Sequence, residues 1–255
     1  MGLAFEAGKQ HHFAGFFRAI DWLGGLSGWP APTLAWAALP YYDGGRKAEA
    51  KQLLADAMQK DPTDATVLMC YGGYLSREKR FQESVDYLAR ALSKQPVDAA
   101  WTWRTLGDSY RCMGNWDEAK RCYLESLRYN PSEADAGWAY SGLGHAAAQH
   151  KDWAEAARCW REAVARLTRE EETWYNLGDA LLQSGDYRAA INALRKSLRL
   201  GNKKPEWALY DLASCYNQLD DFQQAEAYCE QVLSRDPNDE DAIEMKKELA
   251  ASRPR

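Results

Sequence analysis

Residues 100–133 read AWTWRTLGDSYRCMGNWDEAKRCYLESLRYNPSE, and the spacing of their apolar and small side chains predicts a specific local structure. Its first half places side chains three and four residues apart, which puts them on one face of an α-helix: Trp103, Leu106, Gly107 and Tyr110. A turn is expected at Gly114 and Asn115. A second helical face follows it: Trp116, Ala119, Tyr123 and Ser126. Pro131 then ends the second helix, because proline cannot continue a helix beyond its first turn. The stretch predicts two antiparallel helices joined by a short turn.

This hairpin pattern recurs along the chain, as three series of small residues show. The first series is Ala38, Gly72, Gly107, Gly144, Gly178 and Ala213. The second is Ala50, Ser84, Ala119, Ala156, Ala190 and Ala225. The third is Ala57, Ala91, Ser126, Ala163, Ser197 and Val232. All three advance by the same steps of 34, 35, 37, 34 and 35 residues, so the chain is an array of repeats. Small residues at fixed positions are expected where two helices cross closely.

The spacing W-x2-L-G-x2-Y…A-x3-F…P resembles that of the tetratricopeptide repeat. Residues 171–204 fit it throughout except that Asn202 replaces the final proline, and residues 31–64, with Pro40 inside the first helix, fit it least. The resemblance implies an all-α, right-handed superhelical solenoid of antiparallel helix pairs. The expected repeats span residues 31–64, 65–98, 100–133, 137–170, 171–204 and 206–239. Residues 240–255 are expected to form a capping helix and tail.

The first 30 residues carry six aromatic side chains, and two interpretations of them are open. One is a degenerate helical hairpin, and the other is an irregular arm. The terminal repeat of an array normally turns a polar face to water, so an aromatic one is a candidate surface for homo-oligomer formation. The alternative is that these rings pack on the first repeat.

The composition argues against several classes of partner. The net charge is −5, with acidic and basic residues interleaved rather than segregated, which does not favour nucleic acid. Residues 22–42 carry 21 uncharged positions in a row but include three glycines and three prolines, so no membrane insertion is expected. The first residues lack the basic and apolar regions of a signal peptide.

The cysteines favour a reducing compartment. None of the six forms a C-x-x-C pair, and the four histidines do not repeat with them, so neither disulfides nor a metal are expected. Most lie in apolar helical patterns and are interpreted as small buried side chains in a cytoplasmic protein.

The resemblance implies that the first helices of the repeats line a concave groove that takes up peptides or partner helices. Subtracting the packing face leaves a second stripe on each of these helices. The candidate groove residues are Trp101, Arg104, Asp108, Arg111, Trp138, His145, Glu172, Tyr175, Asp179, Trp207, Tyr210 and Asn217. Tryptophan, tyrosine and arginine are enriched at binding hot spots. The alternative is that the three tryptophans pack between adjacent first helices.

No catalytic motif and no cofactor-binding motif is present, so the chain is not expected to be an enzyme. The leading hypothesis is an adaptor or scaffold that binds a protein or peptide ligand in the groove. Two alternatives are a self-assembling structural protein that uses residues 1–30 and the regulatory region of an enzyme complex. Some relatives bind acidic C-terminal tails through basic groove residues, but the stripes here do not supply that set.

Overall fold

The computed structural model describes residue 26 and residues 28–252, which form thirteen α-helices and no strand. In chain order the helices are α1 Ala31–Asp43, α2 Lys47–Lys60, α3 Ala65–Arg77, α4 Phe81–Leu92, α5 Ala99–Cys112, α6 Trp116–Arg128, α7 Glu133–Gln149, α8 Trp153–Arg166, α9 Glu171–Gln183, α10 Tyr187–Arg199, α11 Pro205–Gln218, α12 Phe222–Leu233 and α13 Glu240–Ser252. The chain divides into two compact units, Met1–Asp135 and Ala136–Arg255. The expected all-α class of antiparallel helical repeats is confirmed.

Glycines at the helix crossings let the two helices of a hairpin approach closely. A Cβ atom added to Gly107 on α5 would lie 2.8 Å from the Tyr123 ring on α6. One added to Gly178 on α9 would lie 2.6 Å from Leu194 on α10. Both distances are shorter than van der Waals contact, so a larger residue would push the helix axes apart.

Serines of the repeated series tie the paired helices together. Ser126 Oγ donates to the Ala100 carbonyl at 2.8 Å, and Ser197 Oγ donates to the Glu171 carbonyl at 2.7 Å. Both serines are fully buried. Because each buried hydroxyl donates to a carbonyl, the hydrogen bonds offset the cost of removing these groups from water.

The turn between the helices of a hairpin has the same geometry in both compact units. Gly114 and Gly185 each follow a first helix with φ of 79° and 86°, a left-handed conformation that glycine adopts without strain. The residue after each glycine closes the turn with a backbone hydrogen bond of 2.9 Å. Asn115 N donates to the Tyr110 carbonyl, and Asp186 N donates to the Leu181 carbonyl. This is the Schellman arrangement, which satisfies carbonyls at the helix end.

Helix α7 begins earlier than the repeat spacing predicts, at Glu133 rather than at residue 137. Ser132 caps it, since its Oγ accepts from Asp135 N at 3.1 Å. The helix has 17 residues, whereas the other helices have 12 to 14. The long 37-residue step between two glycines of the first series therefore reflects extra helix rather than a longer loop.

The structure describes the C-terminal helix of the array but few of the first 30 residues. Most of residues 1–30 lies outside the described residues, and with it the predicted hairpin or arm and its self-association surface. Within the described part, Leu26 and Trp29 pack on the core around α1. At the other end α13 buries Met245 and Leu249 against residues of α11 and α12. No helix in the described part of the chain combines the length and the apolar character needed to span a membrane.

Five of the six cysteines are buried, and Cys112 at the end of α5 is exposed. Burial raises the pKa of Cys70 to about 12, which keeps that thiol protonated. We expect iodoacetamide to modify Cys112 rapidly in the folded protein and all six thiols after unfolding in guanidinium without reductant. Intact-mass spectrometry counts the adducts. Fewer than six adducts after unfolding would reveal a disulfide, and several rapid adducts in the folded state would contradict the burial.

Candidate functional site

The predicted groove residues of the first compact unit are held by partners within that unit. Trp101 covers Gly73 on α3, where an added Cβ would lie 2.4 Å from the indole ring. It therefore packs between adjacent first helices, which was the alternative interpretation of this tryptophan.

The charged members of the same stripe form a closed network. The Arg104 guanidinium donates to Asp135 Oδ1 at 3.0 Å and to Asp108 Oδ2 at 2.9 Å. The other Asp108 oxygen accepts from the Tyr123 hydroxyl at 2.9 Å, and Arg111 lies beside that tyrosine. Only 15% of the Arg104 side chain is exposed. Because both carboxylates are already paired, this part of the stripe offers a ligand little unsatisfied charge.

The second compact unit presents a more open surface, the α9–α11 face, formed by Glu172, Tyr175, Asp179, Trp207 and Asp211. Trp207 is 51% exposed, which is high for so large an apolar side chain. Its ring lies 6.3 Å from that of Tyr175, tilted by 45°. The Lys204 ammonium sits 3.9 Å from the centre of the indole ring, on its π face.

A pocket of about 200 Å³ opens beside these rings at the start of the two helices. Its lining combines aromatic, amide and charged groups: Glu171, Glu172, Tyr175, Asn176, Asn202, Lys203, Lys204 and Trp207. The lining brings together Glu172 and Tyr175, which the sequence predicts on the stripe of one first helix, and Trp207, which it predicts on the stripe of the next. Aromatic walls with a few polar groups are typical of a surface that binds a side chain or a short peptide segment.

Two carboxylates lie deeper on the same face. The pKa of Asp211 is raised to about 7, mainly by burial and also by the charge of Asp179, while a side-chain hydrogen bond with Tyr175 acts in the opposite direction and lowers it. Burial also raises the pKa of Asp179, against a hydrogen bond from Gln183 Nε2 at 3.2 Å. Among the described residues, no group hydrogen-bonds to the buried Oδ2 of Asp211. Two acids with raised pKa values mark this as a candidate binding site.

Sequence reasoning missed Asp211, although a signal for it exists. Residues three or four positions apart share one face of a helix. Starting from Trp207, that face can therefore continue to Asp211, four residues on, as well as to Tyr210, three residues on. In the structure Tyr210 packs instead against the core cluster that includes Met245 and Leu249 of α13. On α11, Asp211 rather than Tyr210 therefore lies near Tyr175 and Asp179 of α9.

The remaining predicted residues of this unit have different surroundings. Trp138 on α7 is 41% exposed. The His145 ring packs edge-on against buried Trp160, with ring centres 5.3 Å apart. Asn217 is partly buried on the last turn of α11. Of these three, Trp138 alone presents a large exposed apolar surface.

Replacing Asp211 by asparagine should stabilise the protein by about 1–3 kcal/mol at pH 8, because it removes a buried charge without removing volume. The pKa of Asp211 in the folded protein, about 7, is above its ordinary value of 3.8, so the penalty is fully present above pH 7. It fades as the pH falls from 7 toward 4, since the folded state then binds the proton. Urea denaturation at pH 8 and 5.5 should show the advantage of the variant shrinking at the lower pH. An asparagine variant less stable than the wild type at pH 8 would contradict this account.

Comparisons with known proteins agree on the repeat. Family models described as tetratricopeptide repeat match residues 63–129, 98–169, 141–205 and 181–249. No match was found among curated proteins.

Solved structures share the fold at low identity. The Cut9–Hcn1 hetero-tetramer of the APC/C matches with a TM-score of 0.69 and 18% identity over 96% of this chain, which spans only 46% of that chain. PilF of Pseudomonas aeruginosa matches with a TM-score of 0.72 and 17% identity, over 86% of this chain and 97% of that one. YrrB, a TPR protein with an unusual peptide-binding site, matches with a TM-score of 0.67 and 18% identity, over 76% and 97%. At these identities the likeness establishes the fold alone.

Taken together, the family models match most of the chain, and the helical hairpins carry the small residues of the motif at their crossings. Proteins with this fold are in general protein-interaction scaffolds rather than catalysts. The chain belongs to the tetratricopeptide repeat family.

Proposed function

We propose that this protein is a non-catalytic scaffold that holds a peptide or a partner helix on its α9–α11 face. The observation that carries the proposal is the contrast between the two compact units. In the first, Trp101 and Arg104 are engaged by neighbouring helices. In the second, Trp207 is half exposed beside a pocket, and a buried carboxylate oxygen lacks a partner among the described residues.

The composition of the α9–α11 face suits protein recognition. A tryptophan and a tyrosine supply large contact areas at small cost in side-chain entropy, and such residues dominate interface hot spots. The pocket volume of about 200 Å³ fits one or two side chains rather than a drug-sized metabolite. A peptide that inserts a side chain there and runs along α9 and α11 would also cover the exposed indole ring.

A crosslinking experiment tests the proposal. Peptides are first selected on the 255-residue chain from a random 12-residue phage library. They are then synthesised with a benzophenone group and irradiated in the complex. We expect mass spectrometry to place the crosslinks on α9 and α11, and excess unlabelled peptide should abolish them. Crosslinks confined to α10 and α12, the second helices of the same repeats, would overturn the proposal.

A further inference from the structure

The deeper part of the α9–α11 face holds two carboxyl groups, Asp179 and Asp211, without a basic partner among the described residues. Lys203 and Lys204 lie at the rim. The Lys203 Nζ is 3.7 Å from Glu171 Oε1, and the Lys204 ammonium covers the Trp207 ring. No basic side chain of the described residues forms an ion pair with Asp179 or Asp211. Two acids therefore share a site of low solvent access, which makes it costly for both to be ionised together.

The first compact unit shows how this chain satisfies such a site. There Arg104 joins Asp108 to Asp135 through contacts of 2.9 and 3.0 Å, with its guanidinium 6.0 Å from the centre of the Trp101 ring. An arginine thus bridges two carboxylates beside a tryptophan. The planar guanidinium suits this role because it donates in two directions and stacks on rings.

The repeat register shows that the same position lacks its arginine in the second compact unit. Asp179 stands where Asp108 stands two repeats earlier, since each lies one residue after a glycine of the first series. Tyr175 stands where Arg104 stands. The carboxylate of the pair is kept, a second carboxylate faces it from α11, and a tyrosine replaces the basic partner.

We propose that the ligand supplies the missing basic group: the α9–α11 face recognises a peptide through an arginine side chain that bridges Asp179 and Asp211 beside Tyr175 and Trp207. This inference rests on the proposed function and names the chemistry of its partner. The guanidinium would give the buried Oδ2 of Asp211 a donor and would relieve the repulsion between the two carboxylates. A carboxylate of an acidic peptide would add a third acid beside these two, so the site disfavours acidic side chains.

The α9–α11 binders from the phage selection test the inference. We expect them to share an arginine, and changing it to glutamine should weaken binding to the wild type by about tenfold or more in fluorescence anisotropy. The Asp211→Asn and Asp179→Asn variants should lose a similar factor for the arginine peptide and little for the glutamine peptide. Glu162→Gln, an equal charge change at an exposed position on α8, should leave both affinities unchanged.

The outcomes separate the two proposals. Peptides that crosslink to α9 and α11 but bind equally well with glutamine, or bind both aspartate variants as tightly as the wild type, would overturn the arginine site and leave the scaffold role standing. Binding that tolerates lysine in place of arginine would overturn the bridging geometry. Crosslinks away from α9 and α11 would overturn the proposed function itself.

Discussion

Replacing Gly178 by leucine is expected to lower the free energy of unfolding by about 3 kcal/mol or more. A Cβ at this position would lie 2.6 Å from Cγ and Cδ2 of Leu194 and 3.2 Å from the Leu194 backbone nitrogen. The side chain of Leu194 can rotate away from the new atoms. The contact with the Leu194 backbone nitrogen can be relieved only if α9 and α10 move apart. That movement would disturb the core around Leu181 and Leu194 in the same repeat.

Urea denaturation followed by circular dichroism measures this effect. Asn192→Leu, which adds a leucine at an exposed position on α10, serves as the matched control and should change stability by no more than about 0.5 kcal/mol. Nearest-neighbour packing should confine most of the damage to the adjoining repeats, so some helical signal should survive the first transition. A denaturation midpoint equal to that of the wild type would show that Gly178 does not lie at a close crossing.

The hairpin architecture could be predicted because its determinants are local and repeated. Gly107 and Gly178 mark crossings, and each is followed in the same hairpin by a glycine suited to the left-handed turn. Both features depend only on residues a few positions apart. Helix α7 departs from the regular pattern because Ser132 supplies a cap earlier than the spacing alone suggests.

The candidate site could be predicted only in part, because spacing identifies the exposed side of a helix but not what covers it. Trp101 and Trp207 occupy the same repeat position, yet the first covers Gly73 while the second is half exposed. Arg104 forms an ion pair with Asp135, which lies at the start of α7, and a pattern along the helix of Arg104 alone cannot reveal this partner. Asp211 was missed because two helical spacings fit the stripe equally, and the neighbouring helices decide between them.

Trp207 is half exposed whereas Trp101 covers Gly73, so we expect the two tryptophans to respond differently to substitution. If the α9–α11 face binds a peptide, Trp207→Ala should cost about 2–4 kcal/mol of binding free energy for the peptides that crosslink there. Its effect on stability should be small, because half of the side chain is exposed in the folded protein. Trp138→Ala tests whether the exposed tryptophan of α7 contributes to the same binding.

Trp101→Ala should behave in the opposite way, since removing the ring leaves a cavity over Gly73 and weakens the packing of α3 on α5. We expect it to lower the free energy of unfolding by about 2–4 kcal/mol and to leave the affinity of the folded protein for the peptide unchanged. Thermal melts and anisotropy titrations on both variants form a two-by-two comparison. A Trp207→Ala variant that melts several degrees lower but keeps its peptide affinity would place that indole among the structural residues and remove it from the binding face. Trp101 and Trp207 occupy the same position in the repeat. A difference between the two variants in stability or in peptide affinity therefore reflects the helices that surround each tryptophan.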